Sequence, residues 1–363
     1  MEPIRVAQIL GKFNSGGVEA VVLNYYRHVD KDKVQFDFII DEDSIGHLPA
    51  DCIAMGARLY KVSPYQNFFR NWMDLYKLFK TNNYKIVHAH LTTMNVLPLM
   101  AAYFAGVEIR ISHGHNTAHR GEWKKNILKS ILKPFIIIFA THYFACSEQV
   151  ARWLYSKKTL EDNQVTIVYN AIDVCKYEFN NQIRNQIREG LGIKDKFVVG
   201  HIGRFVYQKN HEYLIDIFRE VHKSNPNAIL VLIGEGKLEQ AIKEKVKKLE
   251  MNDCVYFLGV RSDVNELLQA FDVFVLPSFY EGLPVVGVEA QMNGLPMVIA
   301  DTVTKEVKIS NNIRFISLKS STIEWCDEIL NAKRLKDMKV LDEKFDIGKQ
   351  AVKLQKIYME LLK

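Results

Sequence analysis

Cysteine is scarce and scattered: Cys52, Cys146, Cys175, Cys254 and Cys326 are the five in 363 residues, and no two form a C-x-x-C pair. This excludes a disulfide framework or a zinc cluster and leaves buried free thiols as the expectation. Glycine, at 19, and proline, at 9, are too few for a disordered or fibrous chain, and 48% hydrophobic residues supply two cores. No apolar run reaches the roughly 18 residues of a membrane span; the strongest, Phe135 to Ala140, is short and follows Lys133-Pro134. The start, Met1 to Leu10, lacks a charged n-region and a long apolar h-region, so no secretory signal is expected and the chain is placed in the cytoplasm. A large excess of one charge is missing too. The net charge is +6, with 20 Lys/Arg against 15 Asp/Glu up to residue 172 and 28 against 27 after it. A nucleic-acid partner would need a denser basic face, and none is expected.

What is present is alternation. Apolar runs bounded by turn residues recur at Ile4-Leu10, Phe36-Asp41, Lys85-Ala89, Val107-Ile111, His142-Ala145 and Val165-Tyr169, with helical periodicity filling the gaps. The second half repeats this at Phe197-Ile202, Ala228-Ile233, Val255-Leu258, Val273-Leu276, Met297-Ala300 and Arg314-Ile316, with helices near Asn210-Lys223, Lys237-Leu249 and Val285-Met292. Alternation of this kind predicts α/β architecture, two parallel sheets with covering helices. The polar, Asn-rich stretch from Asn170 to Lys196 separates them, giving domains 1–172 and 173–344, and the helical pattern over 345–363 is expected to pack back on the first. A cleft between such domains would collect the carboxyl ends of both sets of strands.

Four stretches could carry chemistry. In Leu276-Pro277-Ser278-Phe279-Tyr280-Glu281-Gly282-Leu283-Pro284 a buried strand ends in a loop before a helix that contains Glu289. Both carboxylates can face a cleft there, and amides from Gly282 and Leu283 onward can meet an anion or hydroxyl. In Gly203-Arg204-Phe205-Val206-Tyr207-Gln208-Lys209 a strand ends in glycine and then presents two cations suited to a diphosphate. Ser112-His113-Gly114-His115 closes a first-half strand; its histidines could bind metal, act as acid or base, or bond a sugar hydroxyl, and no further ligands at metal spacing accompany them. Gly11 to Gly17 forms a glycine loop ahead of the first helix, with Gly16-Gly17 at its mouth. Each stretch alone reads equally as surface charge or turn chemistry. Asp41-Glu42-Asp43 mimics a D-x-D metal motif as an isolated acidic turn. Gly234-Glu235-Gly236 mimics a dinucleotide fingerprint but has Glu239 in place of the third glycine.

Taken in chain order, the glycine loop, the histidine, Gly-Arg-x4-Lys and Glu-x7-Glu together resemble the retaining GT-B glycosyltransferases of family 4. The opening, Gly16-Gly17-Val18-Glu19 with Leu23-Asn24-Tyr25-Tyr26, is most similar to bacterial exopolysaccharide and capsule transferases of the EpsF type. The resemblance implies two Rossmann-like domains facing each other across a cleft. It implies Glu289 on the nucleotide ribose, Glu281 on the donor sugar, Arg204 and Lys209 on the diphosphate, Gly282 and Leu283 beside them and Arg261 near the base. His113 would lie near the donor sugar and the Gly16-Gly17 amides on the phosphates. No metal or other cofactor is implied. Two departures bear on sugar and acceptor: Asn210 stands where many relatives have glycine, and His115-Asn116 replaces Thr-Asp.

The expected partners are therefore a nucleotide sugar, UDP-linked, and a lipid-linked glycan acceptor, with hexose or N-acetylhexosamine transferred under retention. Two alternatives stay open, a nucleotide-sugar epimerase and a non-catalytic partner of a polysaccharide complex. Arg120, Lys124, Lys125, Lys129 and Lys133, interleaved with Ile127, Leu128, Ile131 and Leu132, predict a basic amphipathic helix over 120–139 able to rest on an anionic membrane at its inner face.

Overall fold

The computed structural model describes residues 2–14, 16–117, 123–162, 164–335 and 343–363, with the backbone alone for 123–125. Ser15 and Arg120, and the side chains of Lys124 and Lys125, therefore lie outside the described residues. The chain divides into two compact units: Met1–Ile172 with Glu343–Lys363, and Asp173–Asp342.

In the first unit the strands are β1 (Ile4–Gly11), β2 (Val34–Asp41), β3 (Arg58–Val62), β4 (Ile86–Ala89), β5 (Ile109–Gly114), β6 (His142–Ala145) and β7 (Val165–Ile167). They form one parallel sheet in the order β3-β2-β1-β4-β5-β6-β7. Strands covered on both faces read as continuous apolar runs, and all eight residues of β2 are buried. β3 is the strand that periodicity does not announce: it is an edge strand, and only Val62 of its five residues is buried.

The second unit holds β8 (Phe197–Ile202), β9 (Ala228–Ile233), β10 (Val255–Phe257), β11 (Val273–Leu276), β12 (Met297–Ala300) and β13 (Ile313–Ile316), parallel in the order β10-β9-β8-β11-β12-β13. Its helices follow the apolar stripe of the sequence. His211–Ser224 buries Leu214, Ile215, Ile217, Phe218 and Val221 on one face. The Asn-rich stretch is not a bare linker. Asn180 caps a helix, Asn181–Gly190, by accepting from the amides of Gln182 and Ile183. Arg184 and Arg188 of that helix both grip Asp272, just ahead of β11.

The final helix, Ile347–Glu360, belongs to the first unit. Backbone hydrogen bonds run from Ile172 to Phe345 and from Ile347 to Ile172, and Asp30 donates its amide to Gln355 Oε1 at 2.8 Å. Tyr358 is fully buried and reaches Gln8 of β1. Of the cysteines, Cys175 departs from expectation by being exposed; the other four are buried. No described helix is long and apolar enough to cross a membrane.

Each sheet order reverses once, between β1 and β4 in the first unit and between β8 and β11 in the second. Loops leaving two such strands diverge, and the crevice at their carboxyl ends is the usual ligand position of an open parallel sheet.

Candidate active site

In the second unit, the loops after β8 and β11 carry most of the residues singled out above, and they meet at the reversal. Lys209 Nζ lies 2.7 Å from Glu281 Oε1, and Gln208 Nε2 donates to Glu281 Oε2 at 3.0 Å. Phe279 donates its amide to Gln208 O at 2.9 Å and Gln208 Nε2 also reaches Tyr280 O, so the loops are stitched by backbone as well as charge. The side chains of Lys209 and Glu281 are 15% and 6% exposed. A buried carboxylate gripped by a lysine and an amide is fixed in place. Arg204 differs: it is exposed, with no ion-pair partner among the described residues.

Glycines make room for this loop. A Cβ on Gly234 would run into Gly203 O, and one on Gly236 would lie 2.6 Å from Phe205 O. The Gly234-Glu235-Gly236 segment thus packs against the backbone of 203–205, and Phe205 donates its amide to Glu235 O at 2.9 Å. Asn210 has φ 54° and ψ 45°, the left-handed region that glycine enters freely and asparagine tolerates best among other residues. Its Nδ2 donates to Pro277 O at 3.1 Å, which ties the β8 loop to the end of β11. Asn210→Gly is expected to cost under ~1 kcal/mol, the worth of that hydrogen bond, and Asn210→Val about 2 kcal/mol or more. Chemical denaturation of the two variants checks the order.

Glu289 lies in the helix Val285–Met292 and accepts the Tyr177 hydroxyl at 2.6 Å. Burial pushes its carboxyl up to about 7, the Tyr177 hydrogen bond opposing. The unfolded chain releases this proton near the ordinary glutamate value of 4.5, while the folded chain holds it to about 7. Stability should therefore fall as pH rises between those values and level off above, and Glu289→Gln should flatten that slope. Melting curves from about pH 4.5 to 8 test it. Gly282 and Leu283 are buried just ahead of this helix. Arg261 stands on the exposed loop after β10 with its guanidinium forked onto Asp263, at 2.8 and 2.6 Å.

In the first unit, Gly16 is the N-cap of the helix Gly17–His28. The Glu19 carboxylate turns back to accept the Asn14 amide at 3.1 Å, and a Cβ on Gly16 would collide with its Oε2. Glycine thus leaves room for a carboxylate that sits against this helix mouth, and a larger residue there would have to displace the flexible Glu19 side chain. The Asp41-Glu42-Asp43 turn is internal chemistry as well, since Asp43 pairs with Lys12.

His113 is not isolated. β4 lies beside β5, and the two His-x-His pairs at their ends, His88 and His90, His113 and His115, stack into one buried cluster. His88 Nε2 is 3.0 Å from His113 Nδ1, and His90 Nδ1 2.9 Å from His115 Nε2. His88 Nδ1 lies 2.7 Å from the Tyr358 hydroxyl, and His90 Nε2 2.8 Å from Gln8 Oε1. Burial holds all four rings well below the ordinary histidine range, His115 at about 3, so they are neutral. The expectation that no further ligands accompany His113 is corrected in space, because His88, His90 and His113 bring ring nitrogens within 4.8 Å of one another. The sequence signal that could have found His88 and His90 is the repeat of His-x-His at the ends of successive strands. A metal would need lone pairs that these rings already share with each other, Tyr358 and Gln8. His113 Nε2 is the ring nitrogen of the cluster left buried without a partner among the described residues.

The helix Trp123–Phe139 departs from the expected display at Lys133. Lys133 turns inward, its Nζ 3.7 Å from the Trp153 ring centre and bonded to Trp153 O. Ile127, Leu128, Ile131, Phe135 and Ile138 instead face outward, between 45% and 61% exposed.

Comparison with known proteins shows the family and the fold. Residues 15–176 match the family described as Glycosyltransferase Family 4, and residues 183–324 that described as Glycosyl transferases group 1. The chain is 34% identical over 337 residues to the putative glycosyltransferase EpsF of Bacillus subtilis (strain 168), covering 90% of this chain and 87% of the relative. It is 27% identical over 313 residues to the UDP-Gal:alpha-D-GlcNAc-diphosphoundecaprenol alpha-1,3-galactosyltransferase of Escherichia coli, covering 81% and 80%. The crystal structure of Anabaena Alr3699/HepE in complex with UDP-glucose matches with a TM-score of 0.80 at 17% identity, over 98% of this chain and 100% of that one. Two parallel-sheet units, each matched by its own half of the family, make this chain a member of the family 4, group 1 glycosyltransferases with the GT-B fold.

Proposed function

We propose that this glycosyltransferase moves a hexose or N-acetylhexosamine from a UDP-sugar to a lipid-linked glycan in exopolysaccharide or capsule synthesis, with retention at the anomeric carbon. The observation that carries the reading is the pairing of Lys209 with buried Glu281 beside the exposed Arg204, at the strand reversal of the second sheet. Relatives that transfer galactose from UDP to a diphosphoundecaprenol acceptor, or serve capsular polysaccharide, support the donor and acceptor classes.

In the proposed reaction the bond between the anomeric carbon and the diphosphate oxygen breaks and its electron pair leaves with UDP. An acceptor hydroxyl attacks from the departing face, giving up its proton to the leaving phosphate oxygen. Lys209, held in place beforehand by Glu281, and the exposed Arg204 stabilise the charge gathering on the diphosphate. Glu281, engaged by Lys209 and Gln208, is a poor nucleophile and serves instead to hold the donor sugar by its hydroxyls. Glu289 accepts from the ribose, Gly282 and Leu283 lie beside the phosphates, Arg261 borders the base, and the amides of the Gly16-Gly17 loop face the phosphates. His113 offers its ring N–H to a sugar oxygen. UDP release from a panel of nucleotide sugars, with and without lipid-linked acceptor, tests the reading. Transfer that needs acceptor supports it; donor turnover to an epimer without acceptor favours the epimerase, and nucleotide binding without turnover the non-catalytic partner.

The outward apolar face of Trp123–Phe139 supports a membrane-resting surface, continued by exposed Tyr103 and Phe104 on the helix Val96–Ala105. Insertion of such side chains is driven by apolar burial and assisted by basic neighbours on anionic lipid. The protein is expected to float with anionic vesicles, less with neutral ones, and Ile131→Asp to lose flotation. Equal recovery from both vesicles, or no effect of Ile131→Asp, contradicts this.

A further inference from the structure

We propose that Tyr358, acting through His88, fixes His113 in the tautomer that carries its proton on Nε2, so that the ring presents a hydrogen-bond donor to the sugar and never an acceptor. Tyr358 and His88 are positioning residues here, and the proposal rests on the reading of His113 as a donor-sugar contact.

Protons can be counted along the buried chain of side chains. Gln8 Oε1 can only accept, so the His90 nitrogen 2.8 Å away, Nε2, carries a proton. The same Gln8 amide turns its Nε2 toward Tyr358 and donates to the hydroxyl oxygen at 3.2 Å, and this orientation sets the direction of the chain. The hydroxyl proton is then free to go to His88 Nδ1, 2.7 Å away, which must accept it. A neutral imidazole that accepts at Nδ1 is protonated at Nε2, and His88 Nε2 donates to His113 Nδ1 at 3.0 Å. His113 therefore accepts at Nδ1 and bears its proton on Nε2, the atom left buried without a partner among the described residues. Gln8, His88 and His113 are 1%, 1% and 2% exposed and Tyr358 is 0% exposed, so water does not randomise the direction. The lowered basicity of His88 and His113 keeps both rings singly protonated. A buried donor without an acceptor is costly, and a sugar oxygen on the ligand removes that cost.

This gives the last helix of the chain a task besides packing. The Tyr358 ring is packed edge-on against Phe36 and His88, contacts that phenylalanine would keep while losing the hydroxyl.

The test reads the ring tautomers by 15N NMR in the full-length protein labelled at histidine, with no substrate present. The wild type is expected to show His113 wholly protonated at Nε2. Tyr358→Phe should give a mixture of tautomers, and Gln8→Glu, whose carboxylate would draw the hydroxyl proton away from His88, should shift His113 toward Nδ1–H. In turnover, Tyr358→Phe should lower kcat about threefold to tenfold, the worth of one hydrogen bond, with the donor KM within about twofold. Tyr358→Leu serves as the packing control, since it removes the ring as well as the hydroxyl and lowers Tm. His113 found protonated at Nδ1 in the wild type, or unchanged in Tyr358→Phe, overturns the inference. Because the tautomer is read without substrate, that result is separate from any failure of the protein to bind or turn over nucleotide sugars.

Discussion

Lys209→Met is expected to damage both stability and catalysis. The lysine's partner, Glu281, is 6% exposed at its side chain, and removing one member of a buried pair leaves the other charged and unsolvated. Such losses run at about 3–5 kcal/mol. Gln208 still reaches Glu281 and softens the effect, so the lower end of that range is expected. Transfer should fall at least ~100-fold, because a preplaced charge on the leaving diphosphate is lost and the loop holding Glu281 is loosened. Lys209→Arg, which keeps the charge in a larger group, should recover stability more than rate. Denaturation curves together with kcat separate the two losses.

Arg204→Ala is the contrasting case. Its side chain is exposed and carries no ion pair among the described residues, so nothing in the folded state depends on it. Stability should change by less than about 0.5 kcal/mol, while kcat falls ~100- to 1,000-fold if the guanidinium acts on charge that develops only in the transition state. An unchanged melting temperature with a large drop in kcat marks a catalytic cation. A parallel drop in both would make it a structural one. The pair of variants thus distinguishes two basic side chains that look alike in the sequence.

The central strands are legible because burial on both faces leaves a continuous apolar run, as in Ala228–Ile233, and turn residues punctuate it. Arg58–Val62 is not, since an edge strand with one buried residue has neither the run nor the clean alternation. The helix Asn181–Gly190 hides for a different reason: its hold on the unit comes from the guanidinium groups of Arg184 and Arg188 on Asp272, and polar anchoring looks like solvated linker. At the site, Arg204, Lys209, Glu281 and Glu289 can be picked out along the chain, but not the Lys209–Glu281 contact. That contact exists because the β8–β11 adjacency joins loops 72 residues apart. His88 and His90 escape notice because a His-x-His pair means little until a second one lies on the neighbouring strand. The inward turn of Lys133 is equally illegible, because helical periodicity finds two faces and the aromatic ring of Trp153 decides which of them is covered.

Calorimetric titration of the full-length protein with UDP and GDP, repeated on Arg204→Ala and Glu289→Ala, tests the central claim most directly. The predicted result is binding of UDP in preference to GDP, weakened in both variants while each remains folded. Absence of nucleotide binding by folded wild-type protein, or binding indifferent to both substitutions, would contradict a donor site at the carboxyl edge of the second sheet.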